Sequence, residues 1–142
     1  MNKDYIIYYI TRIRKKSGLF IENLLKAKGL DGLCASHETI LSALYAEDRP
    51  LAMKDISNRI SRNKSTTSQL VDKLVKFGYA EKIHCKNDRR VNYVFLTQNG
   101  KDIQANFQTI SAELIETAYE NFSTEEIEEL LRLLKKLSNN FK

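Results

Sequence analysis

From Gly78 to Thr97 the apolar residues stop recurring at three- and four-residue intervals and begin to alternate, first in AEKIHC and again in VNYVFL, with the polar link KNDRR between them. Alternation puts successive side chains on opposite faces of an extended chain, so this stretch predicts a two-stranded hairpin with a charged tip, in which Val91, Tyr93 and Phe95 face one way. On both sides of the hairpin the period is helical. The fold class is therefore mainly α with one small β-hairpin.

Four helices are expected before the hairpin and two after it. Ile6, Tyr9, Ile10, Ile13, Phe20, Ile21, Leu24 and Leu25 form a stripe of about five turns that ends near Gly29. Ser36 is a good N-cap for a second helix carrying Ile40, Leu41, Leu44 and Tyr45, and Pro50 marks the break behind it. A short third helix at about 52–60 turns Ile56 and Ile60 inward. The polar turn SRNKS then leads into a fourth at about 63–77, whose apolar face is Leu70, Val71, Leu74 and Phe77, with Gly78 placed to stop it. Phe77 is expected to be buried, and Thr67 to point toward the core. Behind the hairpin, Thr97 can cap one long helix with Ile103, Phe107, Ile110, Leu114 and Ala118. Ser123 and Glu126 make a capping-box pattern for a last helix with Ile127, Leu130, Leu131, Leu134 and Leu137.

The charge follows this division. The chain carries a net +5 over 142 residues. Between Lys54 and Arg90 lie ten basic and four acidic residues, whereas the seven acids from Glu113 to Glu129 meet no basic residue. A basic stretch alone is more often a solvated surface than a binding site. Here it coincides with the third helix, the fourth helix and the hairpin. Two short helices joined by a tight turn present the second to a DNA major groove, and a basic hairpin beside it reaches the neighbouring minor groove or backbone. The order predicts a winged helix-turn-helix. The first helix and the last two are left with apolar stripes that so small a unit cannot cover, which predicts a homodimer held by both ends of the chain.

The hairpin also carries a motif: Asp88, Arg89 and Arg90, then VNYVF, then Leu96 and Thr97, with Gly100 behind. It resembles the D-x-R, five residues, L-T wing signature of the MarR family of bacterial transcription regulators. PLAMKDISNRI stands where that family has its third helix and KSTTSQLVDKLVKFGYAEKI where the fourth runs into the wing, so the resemblance covers almost the whole chain. It implies a single domain over 1–142, with a winged helix-turn-helix at about 36–97, a wing at about 79–97, and dimerisation helices at about 1–30 and 98–142. It further implies a cytoplasmic homodimeric repressor on a pseudo-palindromic operator, relieved by a small-molecule effector such as an aromatic anion. In this family the wing arginine enters the minor groove and the aspartate orients it; Arg90 and Asp88 match those positions.

On a helical wheel Ser65, Gln69, Asp72 and Lys76 lie opposite the Leu70 and Leu74 face, flanked by Lys64, Thr66, Ser68 and Lys73. Gln69 can read adenine bidentately, Ser65, Thr66 and Ser68 can take phosphate or base edges, and Lys64 and Lys73 can take phosphates. The competing reading is an ordinary solvated face, and for Asp88, Arg89 and Arg90 a charged hairpin tip. Cys34 and His37 are three apart, but two ligands do not make a zinc site, so no metal is expected. Cys34 and Cys85 form no disulfide framework, and a redox role for either stays open. His84 is a strand residue that either approaches phosphate or sits on the surface. Tyr5, Tyr8 and Tyr9 could line a ligand cavity, although an aromatic helix stripe is more often a dimer core.

The sequence has no phosphate-cradling Gly-rich loop, no G-x-S-x-G and no H-E-x-x-H, so neither catalytic residues nor a cofactor are expected. No apolar run approaches the ~18 to 20 residues needed to cross a bilayer. The start, MNKDYIIYYITRIRKK, has no cleavage site and reads as mature and intracellular. A rival reading from another class is a winged-helix protein-interaction module without specific DNA binding, whose fourth helix should expose an apolar anchor. An RNA-binding winged helix should expose aromatics for stacking.

Overall fold

The computed structural model describes residues 2–84, 86–88 and 91–142. A single 3-10 turn, Lys3–Tyr5, leads into α1, Ile6–Ala27, which stops where Gly29 adopts φ +78. Then follow α2 (Ala35–Glu47), β1 (Leu51–Ala52), α3 (Met53–Ile60), α4 (Lys64–Lys76), β2 (Ala80–His84), β3 (Asn92–Leu96), α5 (Gln98–Asp102), α6 (Gln104–Ala118) and α7 (Thr124–Asn140).

The sheet has three strands and not the expected two, in the order β1-β3-β2, all antiparallel. Leu51 pairs with Val94 and Ala52 with Tyr93, while β2 pairs with β3 from Ala80 opposite Leu96 to His84 opposite Asn92. The two residues of β1 are too few to show an alternating pattern. They bind the start of α3 to the wing, so the wing base and the helix-turn-helix share one backbone network. Val91, Tyr93 and Phe95 are half-buried, and the residue between them that reaches the core is Val94.

The core lies between α2, α3 and α4 and is closed by the sheet, the second half of α1 and α6. Leu25, Ile40, Leu41, Leu44, Leu51, Ile56, Val71, Leu74, Val94, Phe107 and Ile110 are buried in it. Thr97 does cap a helix, its hydroxyl accepting the Gly100 amide at 3.1 Å, but that helix is the short α5. The expected single helix breaks at Ile103, which ends α5 and begins α6. Gly100 is required where α5 crosses the chain entering β2: a Cβ there would lie 2.1 Å from the Tyr79 carbonyl oxygen. The expected capping box of the last helix is present, with Ser123 Oγ accepting from the Glu126 amide and Glu126 returning the bond to Ser123.

The cap of α2 is a second correction. Ser36 lies inside the helix, and the N-cap is Cys34, paired with His37 in a capping box. The three-residue spacing that made Cys34 and His37 look like an incomplete metal pair is the spacing of a reciprocal cap. His37 Nδ1 accepts the Cys34 amide at 3.0 Å, and the ring is buried. Burial pushes the half-exposed Cys34 thiol up, but hydrogen bonding from His37 and Ser36 more than offsets this and brings it to about 7 from an ordinary 9.0. Thiolate is the reactive form, so alkylation of Cys34 in a Cys85→Ser background should rise with pH around a midpoint near 7. A midpoint at the ordinary thiol value would show that the cap does not act on Cys34.

Candidate nucleic-acid interface

The helix-turn-helix is built on its turn. Ser61 adopts the left-handed conformation at φ 54, reversing the chain after α3, and Asn63 then caps α4 by accepting the Thr66 amide at 2.7 Å. Thr67 is fully buried, as expected, and its hydroxyl is used twice. It accepts from Ser57 of α3 at 2.9 Å and donates to the Asn63 carbonyl at 2.8 Å. Buried polar groups are tolerated when satisfied in this way, and the bond between hydroxyls on the two helices helps fix their relative position. From α2, His37 Nε2 reaches the Leu70 carbonyl of α4 at 3.1 Å.

Held from behind, α4 turns its polar side outward. Lys64, Ser65, Gln69, Asp72, Lys73 and Lys76 are exposed, and Thr66 and Ser68 are half-buried beside them. The acid on this face is paired: Asp72 forms an ion pair with Lys82 of β2, which also ties the helix to the wing strand. Lys64 reaches the wing from the other end of α4. Together with Ala52, Met53, Lys54, Ser57, Val91 and Asn92 it lines a depression of about 340 Å³ at the wing base. The start of the helix and the root of the hairpin therefore stand side by side.

Phe77 is not buried as expected but 38% exposed. Gly78 ends the helix at φ +80 and Phe77 is its C-cap, so the ring swings out of the core. It packs against Gly32, where an added Cβ would meet the ring at 3.2 Å, and against the Tyr79 ring and the Lys73 ammonium. This aromatic lies at the opposite end of α4 from Ser65 and the wing base.

On the wing, Asp88 is half-buried and its carbonyl accepts the Val91 amide at 3.0 Å, closing the turn into β3. Arg89 and Arg90, like Cys85, lie outside the described residues. His84 is exposed on β2. Tyr5, Tyr8 and Tyr9 are about half exposed and touch one another in tilted and edge-on pairs.

The model of the MarR family matches residues 32–91, the span from the cap of α2 to the start of β3. The chain is 29% identical to the HTH-type transcriptional regulator SarZ of Staphylococcus haemolyticus, over 72% of this chain and 68% of that protein. It is 24% identical to the HTH-type transcriptional regulator BilQ of Clostridioides difficile, over 92% of this chain and 86% of that one. Residues 32–91 of this chain are thus similar to the MarR family. The fold agrees: the S. aureus MepR-DNA complex superimposes with a TM-score of 0.85, covering 96% of this chain and 98% of that one at 22% identity.

The chain leaves large apolar surfaces open at both ends. No residue of α7 is buried, and Leu131, Leu133 and Leu134 are 50%, 45% and 46% exposed. The first half of α1 likewise exposes Ile6, Ile7, Ile10 and Ile13 with the three tyrosines. Between α1 and the start of α2 lies a cavity of about 490 Å³ lined by Arg14, Lys15, Gly18, Leu19, Cys34 and Arg62, among others.

Proposed function

We propose that this protein is a cytoplasmic homodimeric repressor that binds a pseudo-palindromic duplex operator through α4 and the wing and is released by a small aromatic anion. The observation that carries the reading is the outward face of α4: Ser65, Gln69 and Lys73 exposed, with Lys64 beside the wing base. Ser65, Thr66, Ser68 and Gln69 enter the major groove, Lys64 and Lys73 take phosphates, and Asp88, Arg89 and Arg90 act at the wing. Residues about 36–97 bind DNA, while about 1–30 and 98–142 close the dimer in a single-domain chain. The cationic cavity beside α1 suits the effector, since Arg14, Lys15 and Arg62 reach it from two different elements. The action is binding, without catalysis.

Selection from random duplex DNA at stated salt, followed by footprinting, tests this. Protection should be two-fold symmetric, with half-sites about 10 base pairs apart, one helical turn. Equal affinity for every duplex, or capture of single strands in preference, would move the protein to a protein- or RNA-binding class.

Asp88 supplies a sharper check on the wing. Charge counting predicts that Asp88→Ala tightens binding, because an acid beside a polyanion is removed. An aspartate whose carboxylate orients Arg90 predicts weaker binding. Titration of the selected duplex should show a loss of affinity for a folded Asp88→Ala variant, and a gain would overturn the wing assignment.

A further inference from the structure

His37 is the one buried imidazole among the described residues, and binding DNA as proposed does not use it directly. Its ring is engaged on both sides. The Cys34 amide can only donate, so Nδ1, 3.0 Å away, carries a lone pair. The Leu70 carbonyl can only accept, so Nε2, at 3.1 Å, carries the hydrogen. One neutral tautomer satisfies both bonds, and no rotation of the ring exchanges them. The first bond belongs to the cap of α2, the second to the middle of α4. Leu70 lies next to Gln69 in sequence, and a helix carries its backbone as a rigid unit, so a hold on the Leu70 carbonyl is a hold on the register of Gln69.

A conventional cap needs only the first bond. Gln or Glu at the third helical position returns to the N-cap amide and makes no contact with another helix. Here the same side chain also reaches 33 residues along the chain to the recognition helix. The other side-chain tie to α4 from the helix-turn-helix, Ser57 to Thr67, fixes only its first turn. Cys34, at the far end of the link, lines the cavity between α1 and α2, so the path of two hydrogen bonds runs from that cavity wall to the recognition helix.

We propose that His37 is a positioning residue for DNA recognition, setting the depth and register of α4 through its Nε2–H bond to the Leu70 carbonyl. The inference rests on the operator-binding reading and adds to it a residue that touches no DNA. Two substitutions separate the cap from the bond to α4. In His37→Asn the amide oxygen stands where Nδ1 was, so the cap is kept and the bond to α4 is lost. In Cys34→Ala the thiol that accepts the His37 amide is removed, so the cap is weakened while the ring keeps its donor to Leu70.

Each variant is titrated with the selected operator and with a scrambled duplex, at a temperature where circular dichroism shows it folded. His37→Asn should lose about tenfold in the ratio of operator to scrambled affinity, the scale of one net hydrogen bond, while its scrambled-duplex affinity stays at the parent's. Cys34→Ala should keep the parent's ratio even if it melts earlier. If both variants keep the ratio, or lose it in proportion to their melting temperatures, His37 is only a structural cap and the proposal fails. The parent alone gives a second measurement that needs no variant to fold. Nitrogen-15 spectra should show a protonated, slowly exchanging Nε2 and an unprotonated Nδ1, both free and on the operator. The other tautomer, or a rapidly exchanging ring proton, would overturn the link. A parent that distinguishes no duplex from another would count against operator binding itself, which keeps the two failures separate.

Discussion

Changing Leu131 and Leu134 together to Glu should turn the protein into a monomer and lower its affinity for the full operator by at least about a hundredfold. Both leucines are about half exposed in one chain, so the substitutions remove almost nothing from the chain's own core. On the proposed reading, what they remove is the dimer seam. A 17-residue amphipathic helix with no buried residue is marginal by itself in water, whatever its caps contribute. Ser123 and Glu126 at its start add about 1 kcal/mol, and the solvent-screened Glu129–Arg132 pair on its surface adds little. On the proposed reading the partner chain supplies the rest. Burying a leucine is worth about 1.5 to 3 kcal/mol, and two-fold symmetry repeats both losses, with carboxylates then placed where apolar surface should close. A monomer that still folds engages one half-site at a time and forfeits the about 10² to 10⁴ that linkage confers. Sedimentation at micromolar concentration and titration of the same sample check both parts. A variant that still sediments as a dimer and binds as the parent does would place the dimer contact elsewhere.

The parts of the fold that rest on long periodic stripes were legible in the residues, and the parts that rest on one or two residues were not. The helices α1, α2, α4 and α7 follow from apolar spacing, and the α7 cap from Ser123 and Glu126, because each signal repeats or has a fixed reciprocal geometry. The strand Leu51–Ala52 has no such signal: its pairing with Val94 and Tyr93 depends on where α3 brings it. The break at Ile103 is equally silent, since the apolar period runs through it. Cys34 was passed over because cysteine is an uncommon N-cap, and Ser36 two residues later looked better. The signal that points to it is His37 at the third helical position, the partner that a reciprocal cap needs. Phe77 obeyed the stripe of α4 but sits at its C-cap, where the chain leaves the helix and the face no longer has one direction. For the site, Thr67 pointing inward and Ser65, Gln69 and Lys73 pointing outward follow from helix geometry alone. The Asp72–Lys82 pair and the link from His37 to Leu70 join residues 10 and 33 apart, contacts that no local pattern encodes.

Gln69→Ala and Arg90→Ala should both weaken operator binding, and in different ways. Gln69 stands exposed on the face of α4 opposite the buried Val71 and Leu74, in the middle of the helix, where a side chain meets base edges and not the phosphate rim. A glutamine amide presents a donor and an acceptor to the adenine edge, and loss of that pair costs on the order of 1 to 3 kcal/mol at one base pair. The dimer repeats the loss in the second half-site, which makes this the largest expected effect of any single substitution on specificity. Alanine removes no charge, so the dependence on salt should not change. On the proposed reading Arg90 acts by charge and by fit to a narrow groove, so its loss should weaken every duplex and lower the salt slope by about 1 per contact. A matrix of the two variants against the operator, a one-base-pair variant in each half-site and a scrambled duplex, at several salt concentrations, separates the roles. Gln69→Ala should bind the parent operator and its altered version almost equally, while Arg90→Ala should keep their ranking at reduced affinity. If Gln69→Ala retains full discrimination at every position, α4 reads the operator through other residues, and Ser65 and Ser68 become the groups to test.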